Sequence, residues 1–440
     1  MFACRPTRTG GTVALSCCTN LQRYLLDERM LKRWQTRIVL FLAVLGPGFI
    51  TANVDNDAGG ILTYSGAGAQ FGYSLLWTIL PITVALIVVQ EMCARMGVVT
   101  GKGLSDLIRE EFGLRATFIT MVLLLIVNFG LVMTEFIGIA GSLELFHISK
   151  NISVPVCALL VWLLAVRGDY KSVEKVFLAA SVFYIAYIIT GVLSGPSWRE
   201  AMLATVKAPP ASVWHTPGYI SMTIAVIGTT IAPWMQFYLQ SSVVEKGVAV
   251  KDYAASRLDV IVGSIFTDVV AWFIVVACAA TLYAHGVGPL TVPADAAEAM
   301  KPLAKEYAYL LFAVGLFNAS FFAASVLPLS TAYTVCEGLG FESGVDKSFR
   351  EAPAFYWLYT LLIAGGAAVV LLPHIRPMKV VVETQVLSGV LLPVILVMML
   401  LLINRKDLMG SFVNPRWMNA IAWTTAGIVV VLSVALMFVS

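Results

Sequence analysis

An all-α integral membrane protein with eleven transmembrane helices is the fold class this sequence predicts, and three observations lead there. Hydrophobic residues make up 59% of the 440 and charged residues only 12%, with a mean hydropathy of +0.85. No soluble domain of this size is so poor in charge. The apolar residues gather in eleven runs bounded by Gly, Pro or charge, most of them close to the ~20 residues a bilayer crossing needs. Two of those runs are interrupted in their middle by residues that helices at membrane depth ordinarily avoid.

The elements follow in chain order. Residues 1–35 are polar and Arg-rich, with no apolar stretch before Ile38, so they read as a disordered cytosolic leader and not as a cleaved signal peptide; Met30 offers an alternative start. Residues 36–440 form the transmembrane domain. Its spans are expected at 38–68, 72–97, 117–147, 152–166, 174–194, 217–243, 258–284, 305–337, 354–373, 379–403 and 416–439, with 152–166 short for a full crossing. Seven cysteines, without CxxC spacing, read as reduced and structurally bland. A net charge of +3 spread over loops speaks against a nucleic-acid partner, and no obligate protein partner or cofactor is implied.

Lys and Arg set the orientation. Placing the leader in the cytoplasm puts 21 of them on that side, including Lys102, Arg109, Lys246, Lys251, Lys347 and Arg405, against seven on the other. The chain is therefore expected in the cell (plasma or inner) membrane with its amino terminus inside and its carboxyl terminus outside.

The first interruption is Asn53-Val54-Asp55-Asn56-Asp57-Ala58-Gly59-Gly60. A charged side chain at bilayer depth costs at least ~2.5–3.5 kcal/mol, so it faces a cavity or a partner. Gly59 and Gly60 are expected to let the helix unwind and offer carbonyls beside the carboxylates, which together suit a hard cation. The second interruption, five spans later, is Gly228-Thr229-Thr230-Ile231-Ala232-Pro233-Trp234, where Pro233 lacks an amide. Two broken spans at matching places in two five-helix halves, about 38–194 and 217–403 with an extra helix at 416–439, point to a transport site between inverted repeats.

These residues carry a resemblance. Gly46-Pro47-Gly48-Phe49-Ile50, the Asp57 region, Gly68-Ala69-Gln70-Phe71-Gly72-Tyr73, Glu351-Ala352-Pro353 and Asn404-Arg405-Lys406-Asp407-Leu408-Met409-Gly410 resemble, in the same order, the NRAMP divalent-metal transporters. The resemblance covers nearly all of 38–439 and implies a leucine-transporter-type fold. Its register sets Asp57, not Asp55, on the family's metal-binding aspartate, and the family's Asp-Pro-Gly-Asn reads Asp57-Ala58-Gly59-Gly60 here. Asp55 is left either as an acid that draws cations toward the site or as a cap in an aqueous vestibule. The family's Met-Pro-His reads Ala232-Pro233-Trp234, so the soft thioether ligand and the histidine are both replaced.

What the resemblance implies is an oxygen-only, widened site of Asp57, the carbonyls of Ala58 and Thr229, and Gln385, with Gly60, Ala232 and Trp234 setting selectivity. Mg²⁺ suits such a site because it keeps several waters, and Mn²⁺ can also bind. Proton coupling reads as dismantled: of the family's third-helix Asp-x-x-Glu only Glu135 remains, in Val132-Met133-Thr134-Glu135. Glu135, Asp268 and Thr230 are the candidates for a pathway; for each, an interhelical or local hydrogen bond is the plainer reading. The aromatic run Phe355-Tyr356-Trp357-Leu358-Tyr359 reads as a membrane-interface belt, and Glu91 with Arg95 as an i,i+4 ion pair.

The expected function is Mg²⁺ import by alternating access, without proton coupling. The alternatives are a proton-coupled Mn²⁺/Fe²⁺ importer and, from another class, a non-transporting membrane sensor or scaffold of the same fold. A metal-dependent membrane enzyme is disfavoured because no His/Glu cluster has catalytic spacing.

Overall fold

The described residues of the computed structural model are Gly48, Thr51, Val54, 56–167, 184–345 and 347–439; they belong to one unit, Pro47–Ser440. The leader, Asp55 and the first half of the expected fifth span lie outside them. Among the described residues every regular element is helical. In chain order these are α1 (Ala58–Phe71), α2 (Ile79–Thr100), α3 (Leu104–Glu144), α4 (Lys150–Arg167), α5 (Ile185–Leu193), α6 (Trp198–Val206) and α7 (Ala211–Trp214). There follow α8 (Tyr219–Thr230), α9 (Pro233–Glu245), α10 (Tyr253–Thr281), α11 (Pro293–Leu339), α12 (Pro353–Leu371), α13 (Pro377–Ile403), α14 (Lys406–Met409) and α15 (Arg416–Val439).

Local chemistry fixes the ends. Proline opens α9, α11, α12 and α13, where its missing amide costs nothing and its fixed φ suits the first turn. Glycines in the left-handed region close α2 at Gly101 (φ 64°) and α11 at Gly340 (φ 77°). Residues 72–78, expected to begin the second span, instead form a 3₁₀ segment, and α2 starts only at Ile79. The third span starts earlier than its hydropathy suggests, with α3 running from Leu104 through a break at Gly113 (φ 80°).

Eight helical stretches among the described residues are long and apolar enough to cross a membrane, and Lys150–Leu164 is a shorter apolar one. Their burial is uneven: 89% of the most apolar window of Tyr219–Glu245 is covered by protein, against 17% for Arg416–Phe438. The α8–α9 pair is thus the axis of the bundle and α15 its margin. α13 packs along α8 and α3, α10 along α1 and α2, and α11 along α3. The expectation of an interface belt at 355–359 is corrected here. Phe355, Tyr356 and Tyr359 are buried and only Trp357 is well exposed; Phe355 meets Tyr333 edge-on at 4.8 Å, and the Tyr359 hydroxyl donates to the Val161 carbonyl at 3.1 Å. Packing against α4 and α11 outweighs an interfacial preference read from composition.

Candidate functional site: the two helix breaks

The first break falls one residue earlier than the glycines suggest. Asp57 is the N-cap of α1, with extended backbone (φ −70°, ψ −176°), and its Oδ1 accepts the Gly60 amide at 2.7 Å. The Asp57 carbonyl accepts from Ile61 at 2.9 Å, so the helical ladder is complete from that point. Gly59 and Gly60 therefore do not unwind the helix; they form its first turn. The Ala58 carbonyl also lies inside the ladder and is not bared as expected. The glycine at 59 has a different use: a Cβ there would fall onto Nε2 of Gln385 and lie 3.1 Å from Asp57 Oδ1. Glycine is what allows α1, Asp57 and the tenth-span glutamine to meet.

Glu135 of α3 closes the other side. Its Oε2 accepts the Ala58 amide at 3.1 Å, its Oε1 faces the Thr134 hydroxyl at 3.3 Å, and its carboxyl and that of Asp57 face each other. Both acids are almost wholly buried, Asp57 at 4% exposure and Glu135 at 0%. Gly138, one turn on, lets Ala58 and Ser320 approach α3 closely. Thus a residue read from sequence as a pathway remnant stands beside the principal aspartate. The separation of 78 positions in the sequence hid this.

At the second break α8 ends at Thr230, Ile231 and Ala232 are non-helical (φ −118°, ψ 57°; φ −67°, ψ 134°), and Pro233 begins α9. In a continuous helix the Thr229 carbonyl would accept from residue 233, which is a proline and has no N–H. That carbonyl is accordingly without a helical donor. Gly228 is not part of the break, as had been expected, but a regular residue of α8. A Cβ there would collide with the Gln385 carbonyl and lie 2.7 Å from the Gly389 Cα, and the Ser388 hydroxyl donates to the Gly228 carbonyl at 2.8 Å. Gly228 thereby seats α8 on α13 and brings Gln385 to the break. Both polar atoms of the Gln385 amide are buried and without a hydrogen-bond partner.

Thr230 does what isolated threonines do, donating to the Val226 carbonyl at 2.8 Å; it also meets the Tyr64 hydroxyl at 2.7 Å, joining α8 to α1. Trp234 is buried with its ring 5.9 Å from that of Tyr238. Tyr238 in turn lines a cavity of about 310 Å³ together with Asp106, Ser241, Glu245, Ser330 and Glu337. Asp268 lies on α10, against Thr83 of α2. Asn56, which sequence reading passed over between its two acidic neighbours, donates to the carbonyl and hydroxyl of Thr267 at 3.2 and 2.6 Å.

Oxygen atoms dominate the two breaks: two carboxyls, an amide side chain and a carbonyl without a helical donor, with Ala232 contributing only a methyl group. No group of three or more His, Cys, Asp or Glu gathers among the described residues.

Comparison with known proteins agrees with the architecture. The profile of the natural resistance-associated macrophage protein-like (Nramp) family matches residues 48–439. The divalent metal cation transporter MntH of Klebsiella pneumoniae is 27% identical over 400 residues, covering 89% of this chain and 93% of its own. MntH 1 of Pseudomonas aeruginosa is 26% identical over 422 residues, covering 91% and 92%. Among solved structures, the manganese transporter of Eremococcus coleocola superposes with a TM-score of 0.72 at 23% identity, over 89% of this chain and 85% of that one. The nucleobase-cation-symport-1 transporter MHP1 superposes more loosely, with a TM-score of 0.54 at 13% identity. The family profile alone spans most of the 440 residues, and the chain belongs to the NRAMP family.

Proposed function

We propose that this chain is a divalent metal cation transporter whose preferred ion is Mg²⁺, with Mn²⁺ also accepted, moved inward by alternating access without proton coupling. One observation carries the reading. At the two breaks Asp57 faces Glu135, the unpartnered Gln385 amide reaches the same turn, and Ala232 stands where a sulfur ligand would have been. A hard, reluctantly dehydrated ion is held by one or two carboxylates and neutral oxygens with some waters kept. A softer, dehydrated ion would gain from a thioether that this site lacks. The relatives' names support divalent transport; manganese is what the name of the Eremococcus coleocola protein gives for that protein.

The same reading arranges the chain as eleven spans, ten in two inverted repeats of about 38–194 and 217–403 and the last at 416–439. The excess of Lys and Arg on the leader's side puts the amino terminus in the cytoplasm and the carboxyl terminus outside. The cavity lined by Asp106, Glu245 and Glu337 then opens on the cytoplasmic side. Tyr238, whose ring lies 5.9 Å from that of Trp234, is part of its lining. Trp234 at the position of the family's histidine cannot carry a proton, and with Val132 at the position of the third-helix aspartate no relay in series is left.

The test is uptake into proteoliposomes loaded with Mg²⁺- and pH-sensitive dyes. Mg²⁺ entry without proportional acidification is expected, and Asp57→Ala should reduce it to the protein-free rate. Acidification in step with uptake would instead favour the proton-coupled importer. A wild-type chain that moves no divalent ion at all would favour the sensor or scaffold.

A further inference from the structure

Asp268 is the buried acid that the site at the breaks does not use. It sits near the middle of α10 at 4% exposure, and its Oδ2 has no hydrogen-bond partner. The hydroxyl of Thr83 stands against its carboxyl from α2, and among the described residues no Lys, Arg or His pairs with it. The residue before it, Thr267, holds the Asn56 amide through both its carbonyl and its hydroxyl. Both donor contacts come from Asn56 Nδ2, which leaves Asn56 Oδ1 buried and unpartnered. Two orphaned oxygens are therefore anchored to consecutive residues of α10, and one of them belongs to the residue immediately before Asp57.

A buried polar oxygen without a donor costs about 1–3 kcal/mol, and a carboxyl without a countercharge at membrane depth costs more. Apolar residues would be more stable at such positions, and an ionisable side chain kept at membrane depth marks a functional position. We propose that Asp268, with Thr83 and Asn56, forms a second position for the transported divalent cation, a transit site beside the one at Asp57. One carboxylate and neutral oxygens hold a divalent ion more weakly than the Asp57–Glu135 pair, and weak binding is what a transit position needs if the ion is to leave it. Asn56 links the two positions along the chain, since the segment that ends in Asp57 is tied to α10 by the Thr267 bonds. This inference rests on the divalent-transport reading above.

Equilibrium Mn²⁺ titration of the full-length chain in detergent, read by loss of the free-ion electron paramagnetic resonance signal, tests it. Two Mn²⁺ per chain are expected for the wild type, one tight ion for Asp268→Asn, one weak ion for Asp57→Ala and none for the double variant. In proteoliposomes Asp268→Asn should lower kcat/KM for Mn²⁺ at least tenfold, and Asp268→Glu should restore most of it. A single Mn²⁺ in the wild type, or a Asp57→Ala chain that binds none, overturns the transit site while leaving the main reading intact. A wild type without any Asp57-dependent Mn²⁺ overturns the main reading instead. Should Asp268→Asn elute as aggregate, Thr83→Val decides: a severalfold weaker second ion with an unchanged first supports the proposal, and two unchanged ions refute it.

Discussion

Asp57 caps α1 by accepting the Gly60 amide on Oδ1 while its carboxyl faces that of Glu135, and on the proposed reading the same carboxyl holds the ion. Replacing Asp57 with Asn keeps an acceptor for the cap but removes the charge, so the helix start should survive while uptake falls at least a hundredfold, measured as initial Mg²⁺ influx. Gly59 offers a sharper test, because its requirement is steric. A methyl group there lands on the Gln385 amide, so Gly59→Ala should lower Tm, and adding Gln385→Ala should recover part of that loss by vacating that space. If the double variant is no better than the single, the close approach of α1 to Gln385 is not what glycine provides. Selectivity belongs at this scale too. Ala232→Met with Gly60→Asn should shift the uptake ratio toward Mn²⁺ or Cd²⁺ over Mg²⁺ by about tenfold, about the effect of 1.4 kcal/mol in differential affinity.

Among the elements, the seam of α8 against α13 depends on absent side chains. Gly228 and Gly389 bring backbone onto backbone, so a Cβ at 228 has no flexible neighbour to push aside. Gly228→Ala should therefore destabilise the protein by about 1–3 kcal/mol, as overpacking does, and lower its Tm, whereas Gly427→Ala on the marginal α15, where nothing lies within 4 Å, should leave Tm unchanged. The second seam is polar. Arg95 of α2 pairs with Glu91 at 3.1 Å and also reaches the Asn414 side chain ahead of α15, while the Tyr253 hydroxyl at the start of α10 donates to Glu91. The i,i+4 spacing made the pair legible in the sequence. Its burial and its contacts with Tyr253 and Asn414, 158 and 319 positions from Arg95, were not legible, because nothing local encodes them. The same contrast holds for the breaks. Acid, glycine and proline announced where the two spans fail, but the residue at which each helix resumes is set by capping and by neighbours. Asp57 and Pro233 thus start helices that the glycines had been expected to end. Glu135 was visible as an isolated acid, and only the fold brought it opposite Asp57.

At the scale of the whole molecule, hydropathy predicted eleven spans, and among the described residues eight helical stretches are long and apolar enough to cross a membrane. How the broken spans work together is a property of the assembled bundle. The axial position of α8–α9, with 89% of its apolar window covered, means that the Ala232–Trp234 segment cannot meet the bilayer and must face protein or an ion path. The sequence around it, with Trp234 for histidine and Val132 for aspartate, leaves the membrane potential as the driving force on the proposed reading. That potential is worth about 4.6 kcal/mol per 100 mV for a divalent ion, or about a thousandfold in accumulation. Proteoliposomes given an inside-negative K⁺ diffusion potential of that size should accumulate Mg²⁺ well above the external concentration, and collapsing the potential should release it. An imposed pH gradient of either sign, at zero potential, should move no net Mg²⁺. Accumulation that follows the pH gradient and ignores the potential would mean that Glu135 or another acid still relays protons, and the coupling would then have to be sought between Asp57 and Glu135, where the two carboxyl groups face each other.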